Sequence, residues 1–122
     1  MSLTVMTVDD SRTMRDMVSY TLQQAGYNVL EAEDGNHALS ILNSQKADVV
    51  ITDLNMPNMD GLTLIKELRA HPNYQATPIL MLTTESDDSK KGAGREAGAT
   101  GWIVKPFNPE KLLSVLKKVA GA

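Results

Sequence analysis

Carboxylates, hydroxyls and a lysine recur in this chain at one kind of place. Asp9 and Asp10 close the run Leu3-Thr4-Val5-Met6-Thr7-Val8, and Asp53 closes Val49-Val50-Ile51-Thr52. Thr83 and Thr84 follow Pro78-Ile79-Leu80-Met81-Leu82, and Lys105-Pro106 follows Gly101-Trp102-Ile103-Val104. Short apolar runs of this kind read as buried strands. In an open α/β sheet the chemistry lies just outside the carboxyl ends of the strands, so all of these groups fall on one edge. Three carboxylates in one small site repel, and one is forced neutral unless a cation joins them. The chain has no cysteine, and His37 and His71 read as helix or loop residues far from that edge. Oxygen-only ligation favours Mg²⁺ or a similar hard ion, which keeps waters and binds phosphate oxygens. A lysine and a hydroxyl also suit a phosphoryl group, and an aspartate can attack phosphorus as a nucleophile. The chemistry points to a Mg²⁺-assisted phosphoryl acceptor with Asp53 at its centre.

The elements that must position these groups alternate. Five strand-like runs, with the second at about Asn28 to Ala32, are separated by five helical patterns. Ser11 is an N-cap for a first helix with Met14, Met17, Val18 and Leu22 on its apolar face and Ala25 behind, stopped by Gly26. Asp34-Gly35 reads as a turn before a second helix carrying Ala38, Leu39, Ile41 and Leu42. Asp60 caps a third helix with Leu62, Ile65 and Leu68 inward, closed at His71-Pro72-Asn73 because proline cannot continue a helix. A fourth helix runs from about Asp87 to Ala97, stopped by Gly98. It contains Gly92 and Gly94, each costing about 1 kcal/mol relative to alanine, and is expected to be the least stable. Replacing both glycines by alanine is expected to stabilise the domain. Asn108-Pro109-Glu110 starts a fifth helix with Leu112, Leu113, Leu116 and Val119 inward. Met14, Met17 and Met81 read as core fillers, and Met56 and Met59 as loop residues near Asp53. Strict alternation implies a parallel sheet covered by helices on both faces, with strands one, three and four central.

The bulk numbers fit one domain spanning residues 1–122. Apolar residues are 42%, and 12 basic against 15 acidic residues leave a net charge of −3. That gives no general pull toward nucleic acid or anionic membrane. No apolar run approaches the roughly 20 residues of a membrane span, and no signal-type N-terminus is evident. A cytoplasmic monomer is the expectation.

Singly, each motif has an ordinary reading: Asp9-Asp10 as helix caps, Asp53 as a solvated strand end, Lys105 as a surface lysine. Together, Val8-Asp9-Asp10-Ser11, Asp53-Leu54-Asn55-Met56-Pro57 with Asp60-Gly61, Thr83-Thr84 and Lys105-Pro106-Phe107 resemble, over the whole chain, the response regulator receiver domain of two-component systems. The resemblance is greatest to its stand-alone chemotaxis regulators. It implies the flavodoxin-like (CheY-like) fold, (βα)5, whose strand order 2-1-3-4-5 belongs to that fold and is not read from this sequence. It implies that Asp53 takes a phosphoryl group from a histidine kinase (CheA-like). Asp10 and Asp53 would ligate Mg²⁺, with Asp9 holding waters around it and the Asn55 carbonyl completing the set. Lys105 would pair with the phosphoryl oxygens, Thr83 would donate its hydroxyl, and Lys105-Pro106 would be a cis peptide. Trp102 takes the place of the family's aromatic switch, usually Tyr or Phe. Asn55 and Glu85 take the two positions that tune dephosphorylation. On phosphorylation the fourth helix, fifth strand and fifth helix would change to bind a target, such as a flagellar motor switch component. Lys90, Lys91, Arg95, Lys111, Lys117 and Lys118 are a solvated face that can contribute there. A phosphatase is a further expected partner.

With the fifth helix closing the chain, the expected output is another protein. The chain is expected not to be an enzyme beyond its own phosphorylation and autodephosphorylation. A phosphatase with an aspartyl nucleophile resembles an Asp-x-Asp-x-Thr pattern, and here Asn55 stands where the general acid would be. Flavin binding is disfavoured by the two acids after strand one. The alternative in the same fold is a phosphorelay intermediate or phosphate sink passing its phosphoryl group to a histidine phosphotransfer protein. An excised receiver of a larger regulator is a third reading.

Overall fold

β-Branched and long apolar side chains make each of the five runs a strand. A computed structural model describes residues 3–54, 59–83, 88–105 and 107–120, with the side chains of 88–90 excepted. Along the chain come β1 (Thr4–Val8), α1 (Arg12–Gln24), β2 (Asn28–Ala32), α2 (Gly35–Leu42) and β3 (Val49–Asp53). They are followed by α3 (Gly61–Ala70), β4 (Ile79–Thr83), α4 (Asp88–Ala97), β5 (Gly101–Val104) and α5 (Pro109–Ala120). The strands form one parallel sheet of order β2-β1-β3-β4-β5. This is the expected flavodoxin-like architecture.

Successive side chains of a strand point to opposite faces, and the sheet separates two cores accordingly. Val5, Val49, Ile51, Leu80, Leu82 and Ile103 pack with Val18 and Leu22 of α1 and Leu112 and Leu116 of α5. Met6, Val8, Val50, Ile79 and Met81 face the other way, onto Ala38, Leu42, Leu64, Ile65 and Leu68 of α2 and α3 and Ala97 of α4. Every residue of β3 and β4 is buried, whereas β2 and β5 are partly exposed. The central placement of β1, β3 and β4 follows from their unbroken apolar runs.

The helix starts carry the expected side-chain caps. Ser11 accepts from the Met14 N–H at 3.2 Å, Asp60 from the Thr63 N–H at 2.8 Å, and Asn108 from the Glu110 N–H at 2.9 Å. Gly26 and Gly98 follow α1 and α4 with φ of 94° and 114°.

Some expectations need correction. Asp34-Gly35 is not a turn between elements: Asp34 caps α2, accepting from the His37 N–H at 2.8 Å, and Gly35 is its first residue. Met17 is not a core filler, being 50% exposed on α1, and Ala25 is the exposed C-cap of that helix. In α3 it is Leu64, with Ile65 and Leu68, that is fully buried, and Leu62 is only partly so. Met59 packs against the α2–α3 core. His71 caps the end of α3, but His37 lies in the first turn of α2. That turn follows the carboxyl end of β2, so His37 is on the same side of the sheet as Asp53. Its Nδ1 accepts the Glu33 N–H at 3.2 Å.

Candidate functional site

Asp53 ends β3 in the middle of the sheet, and it is no solvated strand end: it is 6% exposed. Its Oδ1 accepts the Leu54 N–H at 2.9 Å and the Lys105 Nζ at 3.1 Å. Its carbonyl accepts the Thr52 hydroxyl at 2.9 Å. The first turn of α3 lies against it, with the Gly61 N–H donating to the Leu54 carbonyl at 2.9 Å. A Cβ at position 61 would collide with the Asp53 carbonyl oxygen. The glycine is therefore what allows a helix to start beside the strand end.

Asp9, at the end of β1, has every polar atom engaged. Its N–H donates to the Ala32 carbonyl at 3.1 Å. Its Oδ1 accepts the Ser11 N–H at 2.9 Å, and its Oδ2 lies 3.4 Å from Lys105 Nζ. Its carbonyl accepts from the Arg15 guanidinium at 2.6 Å. Asp9 is 1% exposed, so it is not simply a helix cap, a role Ser11 fills. Asp10 is exposed and makes no hydrogen bond or ion pair among the described residues.

Lys105 leaves the end of β5, where its N–H donates to the Thr83 carbonyl at 2.7 Å. Neighbouring strands are spaced about 4.8 Å apart, so its side chain must cross roughly two strand widths to reach β3. Its side chain is 13% exposed, which a surface lysine would not be. Thr83 is buried at the end of β4. Trp102 is half-buried on the α4 side, with Lys91 Nζ 4.9 Å and Arg95 Cζ 5.6 Å from its ring centroid. Asn55, Met56, Thr84, Glu85, Asp87 and Pro106, and with them the expected Asn55 carbonyl ligand and Lys105-Pro106 cis peptide, lie outside the described residues.

Burial pushes the Asp53 carboxyl above the usual carboxylate range, and the neighbouring Asp9 charge adds to this. The Lys105 ammonium and the Leu54 N–H pull against it without cancelling it. One lysine is not enough for the charge collected here. Carboxylate oxygens of Asp9, Asp10 and Asp53 lie within 4.8 Å of one another. An octahedral ion with bonds of about 2.1 Å spans opposite ligands about 4.2 Å apart, so the cluster has the scale and the all-oxygen chemistry of a Mg²⁺ site.

Arg15 is the neighbour that the sequence reading missed. Besides holding the Asp9 carbonyl, its Nε lies 3.3 Å from Glu31 of β2. An arginine one turn into a helix carries no pattern that points to a loop carbonyl behind it.

The family model for the response regulator receiver domain matches residues 5–117. A chemotaxis protein CheY homologue of Campylobacter jejuni is 43% identical over 119 residues, covering 96% of this chain and 92% of that protein. The solved structure of Vibrio cholerae chemotaxis protein CheY4 superposes with a TM-score of 0.95 at 51% identity, covering 98% of this chain and 99% of the other. The receiver domain of a Pseudomonas aeruginosa sensor histidine kinase, solved with a magnesium ion coordinated in its active site cleft, gives a TM-score of 0.92 at 25% identity. That match covers 100% of both chains.

Proposed function

Because this chain belongs to the response regulator receiver family, we propose that it is a chemotaxis-type signalling switch in which residues 1–122 act as one receiver domain and Asp53 is the phosphoryl acceptor. The observation that carries the reading is the buried Asp53 carboxylate held by Lys105 within an all-oxygen cluster with Asp9 and Asp10.

A histidine kinase of the CheA type is the donor. An Asp53 oxygen bonds to phosphorus as the phosphorus–nitrogen bond of the donor phosphohistidine breaks. The imidazole leaves with that electron pair and takes a proton. Burial disfavours the Asp53 anion, and Lys105 holds the carboxylate ionised and oriented for attack. Asp10 and Asp53, with Asp9 through its waters and the Asn55 carbonyl, would hold Mg²⁺, which supplies positive charge against the phosphoryl oxygens in flight.

The phosphoryl group brings roughly −1.5 to −2 charges and three acceptor oxygens. The Lys105 ammonium and the Thr83 hydroxyl are the donors for two of them. Thr83 moves toward Asp53, Trp102 follows it inward, and the face made by α4, β5 and α5 changes its fit for a target such as a flagellar motor switch component. Asn55 and Glu85 set how fast the phosphoryl group is lost, on the chain's own or with a phosphatase.

Intact mass after incubation with Mg²⁺ and acetyl phosphate tests this, with Asp53→Asn beside it and Trp102 fluorescence followed in parallel. One phosphoryl mass that requires Mg²⁺ and Asp53, with a fluorescence change, is the expected result. No adduct, and no beryllofluoride complex either, would mean a phosphorylation-independent binding module.

A further inference from the structure

The loop between β1 and α1 has to present two carboxylates with different surroundings. Asp9 is tied through all of its polar atoms, as described above. Asp10 has no partner of its own among the described residues, so only its backbone aims it. The peptide unit is planar, which puts the Asp9 carbonyl and the Asp10 N–H in one rigid plane. Whatever fixes that carbonyl also fixes the base from which the Asp10 side chain projects.

Arg15 fixes it. The guanidinium donates to the Asp9 carbonyl at 2.6 Å, and its Nε meets Glu31 at 3.3 Å. The Arg15 side chain is largely buried, while Glu31 stays near 40% exposed at 41%. The two contacts use the planar fork that distinguishes arginine from lysine. Glu31 sits on β2, whose register places it beside Thr7 of β1. The brace therefore runs from α1 to the edge strand and closes over the loop. Glu31 also balances a cation that would otherwise oppose ion binding at the acidic cluster.

We propose that Arg15, braced by Glu31, is a positioning residue for the Mg²⁺ site: it locks the Asp9–Asp10 peptide so that Asp10 is presented to the ion beside Asp53. The inference rests on the receiver reading above and adds to it a residue outside the acidic cluster. Groups that orient ligands from behind typically contribute about 10- to 100-fold in metal affinity.

The two possible effects of Arg15 have opposite signs. As a nearby positive charge it would weaken Mg²⁺ binding, so its removal would tighten the site. As a clamp it strengthens binding, so its removal loosens the site. The test is Mg²⁺ affinity by titration calorimetry on the full chain, with the thermal midpoint in EDTA recorded for each variant. Arg15→Met is expected to weaken Mg²⁺ about 10-fold. Arg15→Lys is expected to recover little, because an ammonium cannot reproduce the fork, and it carries the test should Arg15→Met fail to fold. Glu31→Gln is expected to cause a smaller loss. Arg12→Met removes an equal charge from the exposed side of the same turn and is expected to leave the affinity unchanged or slightly tighter. Unchanged or tighter Mg²⁺ binding in Arg15→Met or Arg15→Lys overturns the proposal, and a lowered midpoint without an affinity change assigns Arg15 to stability alone. No Mg²⁺ binding by the wild-type chain would instead remove the receiver reading on which it rests.

Discussion

Asp53 is a residue whose ionised form the fold tolerates at a cost. Its carboxyl is raised above the usual range, first by burial. Between the ordinary aspartate range and that raised value, the folded state binds more protons than the unfolded one. Stability therefore falls as pH climbs through this window, and the loss is complete above it. Asp53→Asn removes the loss, so it is expected to raise the thermal midpoint at pH 7 by a few degrees. The gain should vanish below the ordinary aspartate range, where both forms are neutral, and should shrink in saturating Mg²⁺. A midpoint difference that is flat with pH would mean that the charge of Asp53 is not what strains the site. Gly61→Ala acts on the same strand end through space. Its Cβ meets the Asp53 carbonyl, backbone that cannot step aside, so a loss of about 2–3 kcal/mol in urea unfolding is expected. At this scale the sequence was legible where residue type and strand end coincide, as for Asp53, Asp9 and Lys105. It was silent where a residue acts on backbone, as Arg15 does on the Asp9 carbonyl.

Among the elements, α4 separates two glycines that look alike in sequence. The Cβ of an alanine at 92 would meet nothing within 4 Å. Gly94 is buried against β4, and a Cβ there would collide with the Met81 side chain. The two sites are therefore unlike: Gly92 is a plain helix-interior cost, whereas an alanine at 94 needs the far end of the Met81 side chain to shift. Gly92→Ala is expected to add about 1 kcal/mol. Gly94→Ala is expected to cost about 1–3 kcal/mol as Met81 is displaced. Equal stabilisation by both in chemical denaturation would show that Met81 yields freely. The pair also separates helix stability from packing in any effect on signalling, because Met81 stands opposite Trp102 in the β4–β5 register. Strand positions and most helix caps were legible here because periodicity and cap chemistry are local. Met17 and Ala25 were misplaced because helical spacing marks a stripe but not its width, and α1 buries only Val18, Ser19 and Leu22. Asp34-Gly35 misled because a carboxylate before glycine serves equally as turn or cap.

In the whole molecule, chemistry and cohesion sit at opposite ends of the sheet. The carboxyl end collects Asp9, Asp10, Asp53, Thr83 and Lys105. At the amino end Arg69, in the last turn of α3, ties two connecting stretches of backbone together. Its Nε donates to the Gly98 carbonyl at 2.9 Å, and one terminal nitrogen donates to the carbonyls of Tyr74 and Thr77, each at 2.7 Å. Gly98 lies between α4 and β5, and the other two lie in the connection from α3 to β4. The buried Tyr74 hydroxyl extends the tie, donating to the Leu42 carbonyl at 3.1 Å and the Gln45 carbonyl at 3.2 Å after α2. Nothing in the sequence singles out Arg69, since the carbonyls it holds come from segments without a side-chain signal. Arg69→Met leaves those carbonyls without their charged donor and is expected to cost about 2–3 kcal/mol in urea unfolding. Arg69→Lys is expected to recover less than half, because a compact ammonium cannot reach both connections at once. The separation of the two ends makes a second demand. At a temperature where Arg69→Met is still folded, its rate of labelling by acetyl phosphate and its Mg²⁺ affinity should match the wild type. A folded variant that has lost either would mean that the amino-end tie reaches the acceptor through β3 and β4, and that the sheet transmits strain between the ends instead of isolating them.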